Sequence, residues 1–438
     1  MIGRSFVKSG RQFIVPVSIV PIRIVPISIV PISIVLVAGL VFLGTAATVL
    51  AQESADNGRE RPSRKLLLAH YMPWYQAKPF VPVWGWHWTM NKFNPDATVS
   101  GESTGSATMQ IASHFYPMIG PYDSADPVVL ECQLLQMKLA GIDGVIVDWY
   151  GLTDLHDYAV LHRSTEQLIV QAERLGMRFA ICYEDSTVPA LIKAGRLNEG
   201  QRVEHVAKEV AWLAKNWFNK KGYVQLGSKP VLLSFGQSGL NDSEWTACLG
   251  KITPSVAYFS EHQKRTSAMG GFDWPIPMEG VAGVARFEKN AVTWPESIAV
   301  VFPRFVDIYA EAGVHESWGR IEDQKGAVFR QTLQRAFDGP AKIIQIATWN
   351  DWGEGTQVEP SREFGYRDLE AIQLIRKSAT GGAFMIQSDD LRLPSELLKL
   401  RRRYKDDTSV KQLDQVANLL SHGEVELARR GLKRFSSK

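Results

Sequence analysis

Cysteine is scarce in this chain, which has three in 438 residues, at Cys132, Cys182 and Cys248. Their wide spacing forms no metal-type pair, and their apolar neighbours predict buried free thiols, although one disulfide with an odd thiol left over stays open. The sequence also has no HExxH, P-loop, GxGxxG or GxSxG motif, so zinc-peptidase, nucleotide-dependent and serine-hydrolase chemistries lack support. We expect no cofactor and no metal.

An excess of charge of either sign is also missing once the N-terminus is set apart. Residues 1–51 hold four basic residues and no acidic one, at Arg4, Lys8, Arg11 and Arg23. The remaining chain has 45 basic and 46 acidic residues, because the whole has 49 and 46. A near-neutral chain gives no reason to expect a nucleic-acid partner.

The first 51 residues predict an export signal. Basic residues precede an apolar run over 34–47, and Val49 and Ala51 have the spacing of small residues that signal peptidase accepts. Prolines recur every five residues before that run, which makes a poor membrane helix, at Pro16, Pro21, Pro26 and Pro31. We expect an exported protein, periplasmic or extracellular. The alternative is an uncleaved N-terminal anchor, which would be its only link to a membrane. Polar residues 52–64 predict a linker.

Residues 65–385 alternate short apolar strands with helical stretches, which predicts stacked βα units closed into a (β/α)₈ TIM barrel. Near-continuous apolar runs such as GVIVDW suit strands that are buried on both faces. The predicted strands are Leu66–Tyr71, Gly144–Trp149, Arg178–Tyr183, Pro230–Phe235, Ala257–Ser260, Val281–Ala285, Ala299–Phe305 and Lys342–Thr348. The long aromatic-rich segment 71–127 predicts loops that shape a substrate cleft.

Residues 386–438 predict a short C-terminal helical extension. Two amphipathic stretches, 396–404 and 410–420, predict helices, and the region has 12 basic and 8 acidic residues. We interpret it as helices packed on the barrel with a solvated basic face; a surface-binding role is the alternative.

Catalytic groups of such barrels follow the strand ends, and the last predicted strand delivers WNDWGEGTQVE over 349–359. Cleavage of a glycosidic bond needs two carboxyl groups with different duties. Asp351 and Glu354 are the candidates, because neighbouring Trp349 and Trp352 favour a protonated acid. Either carboxylate alone is more often a helix cap or an arginine partner. Their position after the strand favours catalysis.

Other predicted strand ends carry charged groups beside aromatic rings, the combination that a sugar site requires. The chain has 13 tryptophans and 12 tyrosines to supply such rings. The candidate substrate-binding residues are His70, Tyr71, Trp74, Trp86, His87, Trp88, Asp148, Trp149, Tyr150, Glu184, Asp185, Arg304, Asp307, Asn350 and Trp352. Together they predict a mouth for an oligo- or polysaccharide.

Several motifs resemble glycoside hydrolase family 99 and family 71-like proteins: HYMPWY, WGWHW, GIDGVIVDWYG, FPRFVDIYAEAG and WNDWGEGTQVEP. The likeness runs from about Lys65 to Lys377. It implies a metal-free glycosidase on a (β/α)₈ barrel, acting on α-mannosides for family 99 or α-1,3-glucans for family 71. It also implies that Glu354 is the general acid/base. Asp351 would deprotonate the sugar 2-hydroxyl, which attacks the anomeric carbon to give an epoxide-like intermediate.

Two departures from family 99 leave the sugar and the stereochemical outcome open. The family has Glu where this chain has Asp351, and the YEDST segment fits family 71-like proteins better. The expected function is hydrolysis of an α-linked, mannan- or glucan-like glycan. The alternatives are a non-catalytic glycan-binding protein on the same barrel and a metal-dependent hydrolase.

Overall fold

A computed structural model describes residues 64–100 and 107–436. The predicted leader at 1–51 and all but the last residue of the predicted linker at 52–64 lie outside the described residues. Within those residues, no helix combines the length and apolar character that crossing a membrane requires. Cys132, Cys182 and Cys248 are buried free thiols, as the sequence predicted.

Eight parallel strands close into a barrel. They are β1 (Leu66–Tyr71), β2 (Gly144–Trp149), β3 (Arg178–Glu184), β4 (Lys229–Phe235), β5 (Ala257–Glu261), β6 (Gly270–Phe272), β7 (Glu296–Val301) and β8 (Ile343–Ile346). Each strand pairs with the next along the chain, and β8 returns to β1 with Leu66 opposite Ile343. The predicted (β/α)₈ barrel is confirmed.

Helices surround the barrel and fill its connections. Their bounds are α1 (Trp86–Thr89), α2 (Pro127–Ala140), α3 (Tyr158–Arg174), α4 (Thr187–Lys193), α5 (Arg202–Asn216), α6 (Asp242–Leu249), α7 (Gly280–Ala291), α8 (Tyr309–Ala312), α9 (Ala327–Asp338), α10 (Arg367–Ala379), α11 (Leu393–Arg403), α12 (Asp407–Ser421) and α13 (Val425–Ser436). Minor strands pair Thr98–Ser100 with Ala107–Met109, Phe305–Val306 with Arg320–Ile321, and Gln225–Leu226 with the start of β4.

The predicted sixth strand is wrong. Val281–Ala285 lies in α7, where Val284 and Phe287 are buried three residues apart on one helical face. The strand itself is Gly270-Gly271-Phe272, too short and too rich in glycine to give a strand signal. Its glycines have a steric reason: a Cβ on Gly270 would lie 1.9 Å from the carbonyl oxygen of Glu296 on β7. The predicted seventh strand also runs too far, because β7 ends at Val301.

The C-terminal helices pack on α2. Arg401 on α11 donates two hydrogen bonds of 2.9 Å to the buried carboxylate of Glu131 on α2. The sequence predicted two helices here and missed the third, α13, which buries Ala428, Leu432 and Phe435.

Candidate active site

A cavity of about 170 Å³ lies at the carboxyl end of the barrel strands. Seven of the eight strand ends or the loops after them supply its walls, and β5 alone does not; β7 contributes through Tyr309 of α8, which follows it. The lining residues are His70, Met72, Trp74, Asp148, Tyr150, Glu184, Phe235, Trp274, Tyr309, Asp351 and Glu354. Four carboxyl groups, five aromatic rings and one imidazole ring therefore line one small space.

The turn after β8 is fixed by hydrogen bonds to the segment after β1. The Asn350 side chain accepts from the Met72 N–H at 2.8 Å and donates to the Met72 carbonyl at 3.0 Å. The Tyr75 hydroxyl donates to the Asn350 carbonyl and accepts from the Trp352 N–H, both at 3.0 Å. These contacts hold the backbone of the turn in place. The backbone positions from which the Asp351 and Glu354 side chains extend are therefore fixed.

Asp351 lies in surroundings that favour its charged form more than burial alone would allow. One of its carboxylate oxygens accepts the backbone N–H of Glu354 at 3.0 Å, and the backbone of Gly353 donates to the same carboxylate. Burial raises the pKa of Asp351 to about 6, and the two backbone donors hold it from rising further. At neutral pH this carboxyl is therefore mostly ionised.

Glu354 is less well solvated by the protein. Its Oε2 is buried and has no hydrogen-bond partner among the described residues, while the Trp274 indole donates to the carboxyl group. Burial, followed by repulsion from Asp351 and Asp307, raises the pKa of Glu354 well above its ordinary value. Two carboxyls three residues apart thus differ: Glu354 holds a proton at the pH at which Asp351 has lost it.

Asp148 and Glu184 complete the acidic floor of the cavity. Asp148 Oδ1 has no partner among the described residues, and burial followed by repulsion from Glu184 raises the pKa of Asp148 well above its usual range. Glu184 accepts from the Ser186 hydroxyl at 2.5 Å and its N–H at 3.0 Å, yet burial raises its pKa to about 7. Protonated at neutral pH, Asp148 offers a hydroxyl donor to a bound sugar.

A second, wider cavity of about 640 Å³ adjoins the first, and Tyr150 lines both. Trp84, Trp86 and Tyr158 supply its rings, and His87 lies between them and Trp74. The His87 ring stacks on Trp74 with centroids 4.3 Å apart, and its Nε2 lies 3.3 Å from an Asp157 oxygen. Burial lowers the pKa of His87, so the ring is neutral at physiological pH.

Eight predicted substrate-binding residues do not line either cavity. The buried Tyr71 hydroxyl donates to Gln133, and Trp88 lies in the core with its indole N–H on the Tyr122 carbonyl. Trp149 stacks beside Trp212, 6.2 Å between centroids, and donates to His162. The remaining five are Asp185, Arg304, Asp307, Asn350 and Trp352.

These five support the site from outside. Asp185 accepts from Trp245 and from two backbone N–H groups after β4, and Arg304 forms a buried ion pair with Asp368 at 2.6 Å. Asp307 holds a loop by accepting the Trp318 N–H at 2.8 Å. Asn350 pins β1 as described, and the fully buried Trp352 indole donates to Glu359 at 3.1 Å.

Four residues that line the first cavity were not among the predicted site residues: Met72, Phe235, Trp274 and Tyr309. Trp274 follows β6, which the sequence pattern placed elsewhere, so this tryptophan did not stand at a predicted strand end. Phe235 ends an apolar strand and gives no polar signal. Tyr309 lies two residues beyond Asp307, the residue that the pattern favoured, and Met72 lies within the quoted HYMPWY motif.

One group at the cavity floor has the spacing to receive a cation. The ligand atoms of His70, Asp148 and Cys182 all lie within 4.8 Å of one another. Burial lowers the pKa of His70 to about 4, so its ring is neutral, but burial also raises the pKa of the Cys182 thiol. A metal would have to displace the thiol proton to gain that ligand.

The model of glycosyl hydrolase family 99 matches residues 62–247. A glycoprotein endo-alpha-1,2-mannosidase of Mus musculus is 30% identical over 72% of this chain and 72% of its own length. This chain belongs to glycosyl hydrolase family 99. The family predicted from the motifs is thereby confirmed, and its members are enzymes that cleave glycosidic bonds.

Two further proteins resemble this family 99 chain more distantly. A glycoprotein endo-alpha-1,2-mannosidase-like protein of Danio rerio is 22% identical over 57% of the chain, which spans 60% of that relative's length. The structure of a GH99 endo-alpha-mannosidase from Bacteroides thetaiotaomicron matches with a TM-score of 0.55 at 17% identity. The match covers 72% of this chain and 98% of that one, and at this identity it concerns the fold.

Proposed function

We propose that this family 99 chain hydrolyses an α-linked glycan, with Glu354 as general acid/base and Asp351 as its ionised counterpart. The observation that carries the proposal is the unequal treatment of the two carboxyls in one cavity. Asp351 receives two backbone donors, whereas Glu354 keeps an oxygen without a partner. One group that holds a proton beside one that has lost it is the arrangement that glycosidic cleavage uses.

In this mechanism Glu354 protonates the departing glycosidic oxygen, and the aromatic walls exclude the water that would stabilise its charged form. The resemblance to the family assigns to Asp351 the removal of the sugar's 2-hydroxyl proton. Asp351 is one methylene shorter than the family's Glu, so the sugar must lie closer to the turn after β8. A Cβ at Gly353 would lie 3.1 Å from the Met90 side chain, so the glycine serves the close packing of this turn.

The lining suggests how one sugar ring sits. Trp74, Tyr150 and Trp274 offer ring faces or edges to its C–H surfaces, and Asp148 and Glu184 meet its hydroxyls. The adjoining cavity with Trp84, Trp86 and His87 has room for a neighbouring sugar of the same chain. The mannosidase names of the relatives make α-mannans the first substrates to try, with α-glucans second.

The test compares the wild type and Glu354→Gln on a panel of α-mannans and α-glucans, with products followed by NMR. We expect a loss in kcat/KM of at least ~100-fold for the variant on the best glycan. On the corresponding glycosyl fluoride, whose leaving group needs no proton, kcat/KM of the variant should stay within about tenfold of the wild type. Equal losses on both substrates would refute the acid role.

The same panel separates the rival functions. Binding of a glycan by the wild type without turnover would establish a glycan-binding protein; the presence of both carboxylates argues against this rival, and the shorter Asp351 leaves room for it. Loss of turnover with a chelator, restored by added metal, would establish a metal-dependent hydrolase using the His70 group. We further propose that the protein is exported, which N-terminal sequencing of the mature form would test: a mature chain still beginning at Met1 would refute cleavage.

A further inference from the structure

The loops after β6 and β7 leave the cavity together and end in exposed apolar side chains. Trp274 and Tyr309 lie in the cavity wall, and Met278 and Trp318 lie further along the same two loops. Trp318 is 60% exposed and Met278 is 86% exposed. Single exposed apolar side chains are ordinary on a protein surface, but an exposed aromatic ring that continues from a cavity wall is a candidate for ligand contact.

Ring contacts connect Trp318 to the cavity wall. The Tyr309 ring lies 4.6 Å from the His315 ring, and His315 lies 4.9 Å from Trp318, between centroids in each case. An aromatic path therefore leads from the wall beside Glu354 to the outer surface in two ring-to-ring steps. The three rings are in contact in this structure, so the path needs no movement of a side chain.

The position of Trp318 is fixed by the catalytic corner itself. Asp307 accepts the Trp318 N–H at 2.8 Å and the Ser317 hydroxyl at 2.9 Å. The same loop is bonded to the turn after β8, since the Val306 N–H donates to the Glu354 carbonyl at 2.8 Å. Trp318 is thus exposed yet anchored, unlike an aromatic side chain on a freely moving loop.

Gly319 lets the two loops close against each other. Its φ is +118°, and a Cβ there would lie 3.0 Å from the Pro277 Cβ and 3.7 Å from the Met278 Sδ. Met278 therefore packs beside Gly319, the residue that follows Trp318, and we call these two exposed side chains, Met278 and Trp318, the apolar strip. This strip lies on the Tyr309 side of the cavity, whereas the second cavity opens on the Tyr150 side.

We propose that Trp318 is a sugar-stacking platform that determines specificity for glycans extending beyond the catalytic cavity on the Tyr309 side. The inference rests on the proposed function and deepens it. An exposed indole ring offers its flat face to the C–H surface of a pyranose, and Met278 borders the same sugar with an adaptable apolar side chain. The chain's preferred substrates then have sugar units on both sides of the unit in the cavity.

The experiment measures kcat/KM of the wild type, Trp318→Ala and Trp318→Phe on an α-linked disaccharide and a tetrasaccharide of the best-cleaved glycan. We expect the tetrasaccharide-to-disaccharide ratio to fall about five- to tenfold for Trp318→Ala. The loss should appear in KM rather than kcat, and Trp318→Phe, which keeps a ring, should recover most of it. Leu374→Ala, which removes another exposed apolar side chain on α10, is the matched control and should leave the ratio unchanged.

Binding of the same tetrasaccharide to Glu354→Gln, followed by calorimetry, separates this inference from the proposed function. Hydrolysis with an unchanged ratio for Trp318→Ala overturns the platform alone. Binding that weakens about five- to tenfold on Trp318→Ala, in a protein without turnover, supports the platform and overturns the enzyme. Absence of both binding and turnover for every α-glycan of the panel overturns both.

Discussion

Two sets of buried carboxyl groups surround the end of this barrel, and they differ in how well they are paired. The paired set lies outside the cavity and consists of Glu359, Asp185 and Asp368. Glu359, for example, accepts from Gln133 and Tyr122 at 2.7 Å each and from Trp352 at 3.1 Å. Inside the cavity, Asp148 and Glu354 each keep a buried oxygen without a partner among the described residues. Both sets are desolvated, so burial alone does not distinguish them.

The comparison separates carboxyl groups that stabilise the fold from carboxyl groups that the fold positions for a ligand. A buried polar atom without a partner costs about 1–3 kcal/mol, and a chain retains that cost where the atom meets a ligand instead. The paired set fixes the backbone, and the unpaired set faces the space where a sugar would bring hydroxyl groups. The predictions that follow change one set and leave the other in place.

The largest expected effect is on turnover by Asp351→Asn, which changes the ionised carboxyl that shares the cavity with the unpaired set. The amide cannot take a proton, so kcat/KM on the best glycan should fall by about 100-fold or more. The matched control is Asp185→Asn, which removes a buried carboxylate of the paired set. The control should lower the thermal midpoint while kcat/KM of the folded enzyme stays within a few-fold. A similar fall in kcat/KM for both variants would break the comparison.

Stability should respond most strongly in the paired set. Arg304 is buried, pairs with Asp368 at 2.6 Å and lies 3.7 Å from the Phe364 ring centroid. Arg304→Met keeps much of the side-chain volume but leaves Asp368 with Arg367, 3.0 Å away, as its remaining cation, which should cost about 2 kcal/mol of unfolding free energy. Denaturant unfolding measures this cost. A loss below about 1 kcal/mol would show that Arg367 alone is a sufficient partner for Asp368.

In the unpaired set we expect a substitution to raise stability, because Glu354→Gln removes a buried acid whose ionisation is unfavourable. The pKa of Glu354 is raised in the folded state, so its contribution is present below the unfolded pKa of about 4.3 and is lost as pH rises. Glutamine does not titrate. The thermal midpoint of the variant should therefore exceed that of the wild type by about 2 °C or more at pH 7, and by less at pH 4.

The smallest expected effect concerns Trp274→Phe. The indole N–H donates to Glu354 and stabilises its ionised form, which opposes the effect of burial. Without that donor, the pKa of Glu354 should rise, and the alkaline limb of kcat/KM should move to higher pH. Activity at neutral pH should change only a few-fold. A shift of that limb to lower pH would contradict the hydrogen bond.

The sequence predicted the barrel, seven of its strands and both carboxyls after β8, because most of those strands have a long apolar run and several have polar residues directly after it. It failed at β6, where two glycines and one phenylalanine carry no periodic pattern. That failure also hid Trp274. A three-residue strand is defined by its neighbours' backbones, which the local sequence does not encode.

The sequence could not predict which aromatic ring of a cluster lines a cavity, for a different reason. In WGWHW, Trp86 and Trp88 lie two residues apart on α1 and therefore point to different sides of the helix. Trp86 lines the second cavity and Trp88 is buried in the core. The sequence motif made both tryptophans candidates. Only the orientation of α1 on the barrel decides which one lines the cavity and which one is buried.

The pH dependence of kcat/KM for the wild type on its best glycan tests the central claim most directly. If Asp351 must be ionised while Glu354 is protonated, the profile has an acid limb near pH 6 and an alkaline limb above it. Full activity at pH 4, or a profile that only falls as pH rises above 4, would contradict the unequal pair.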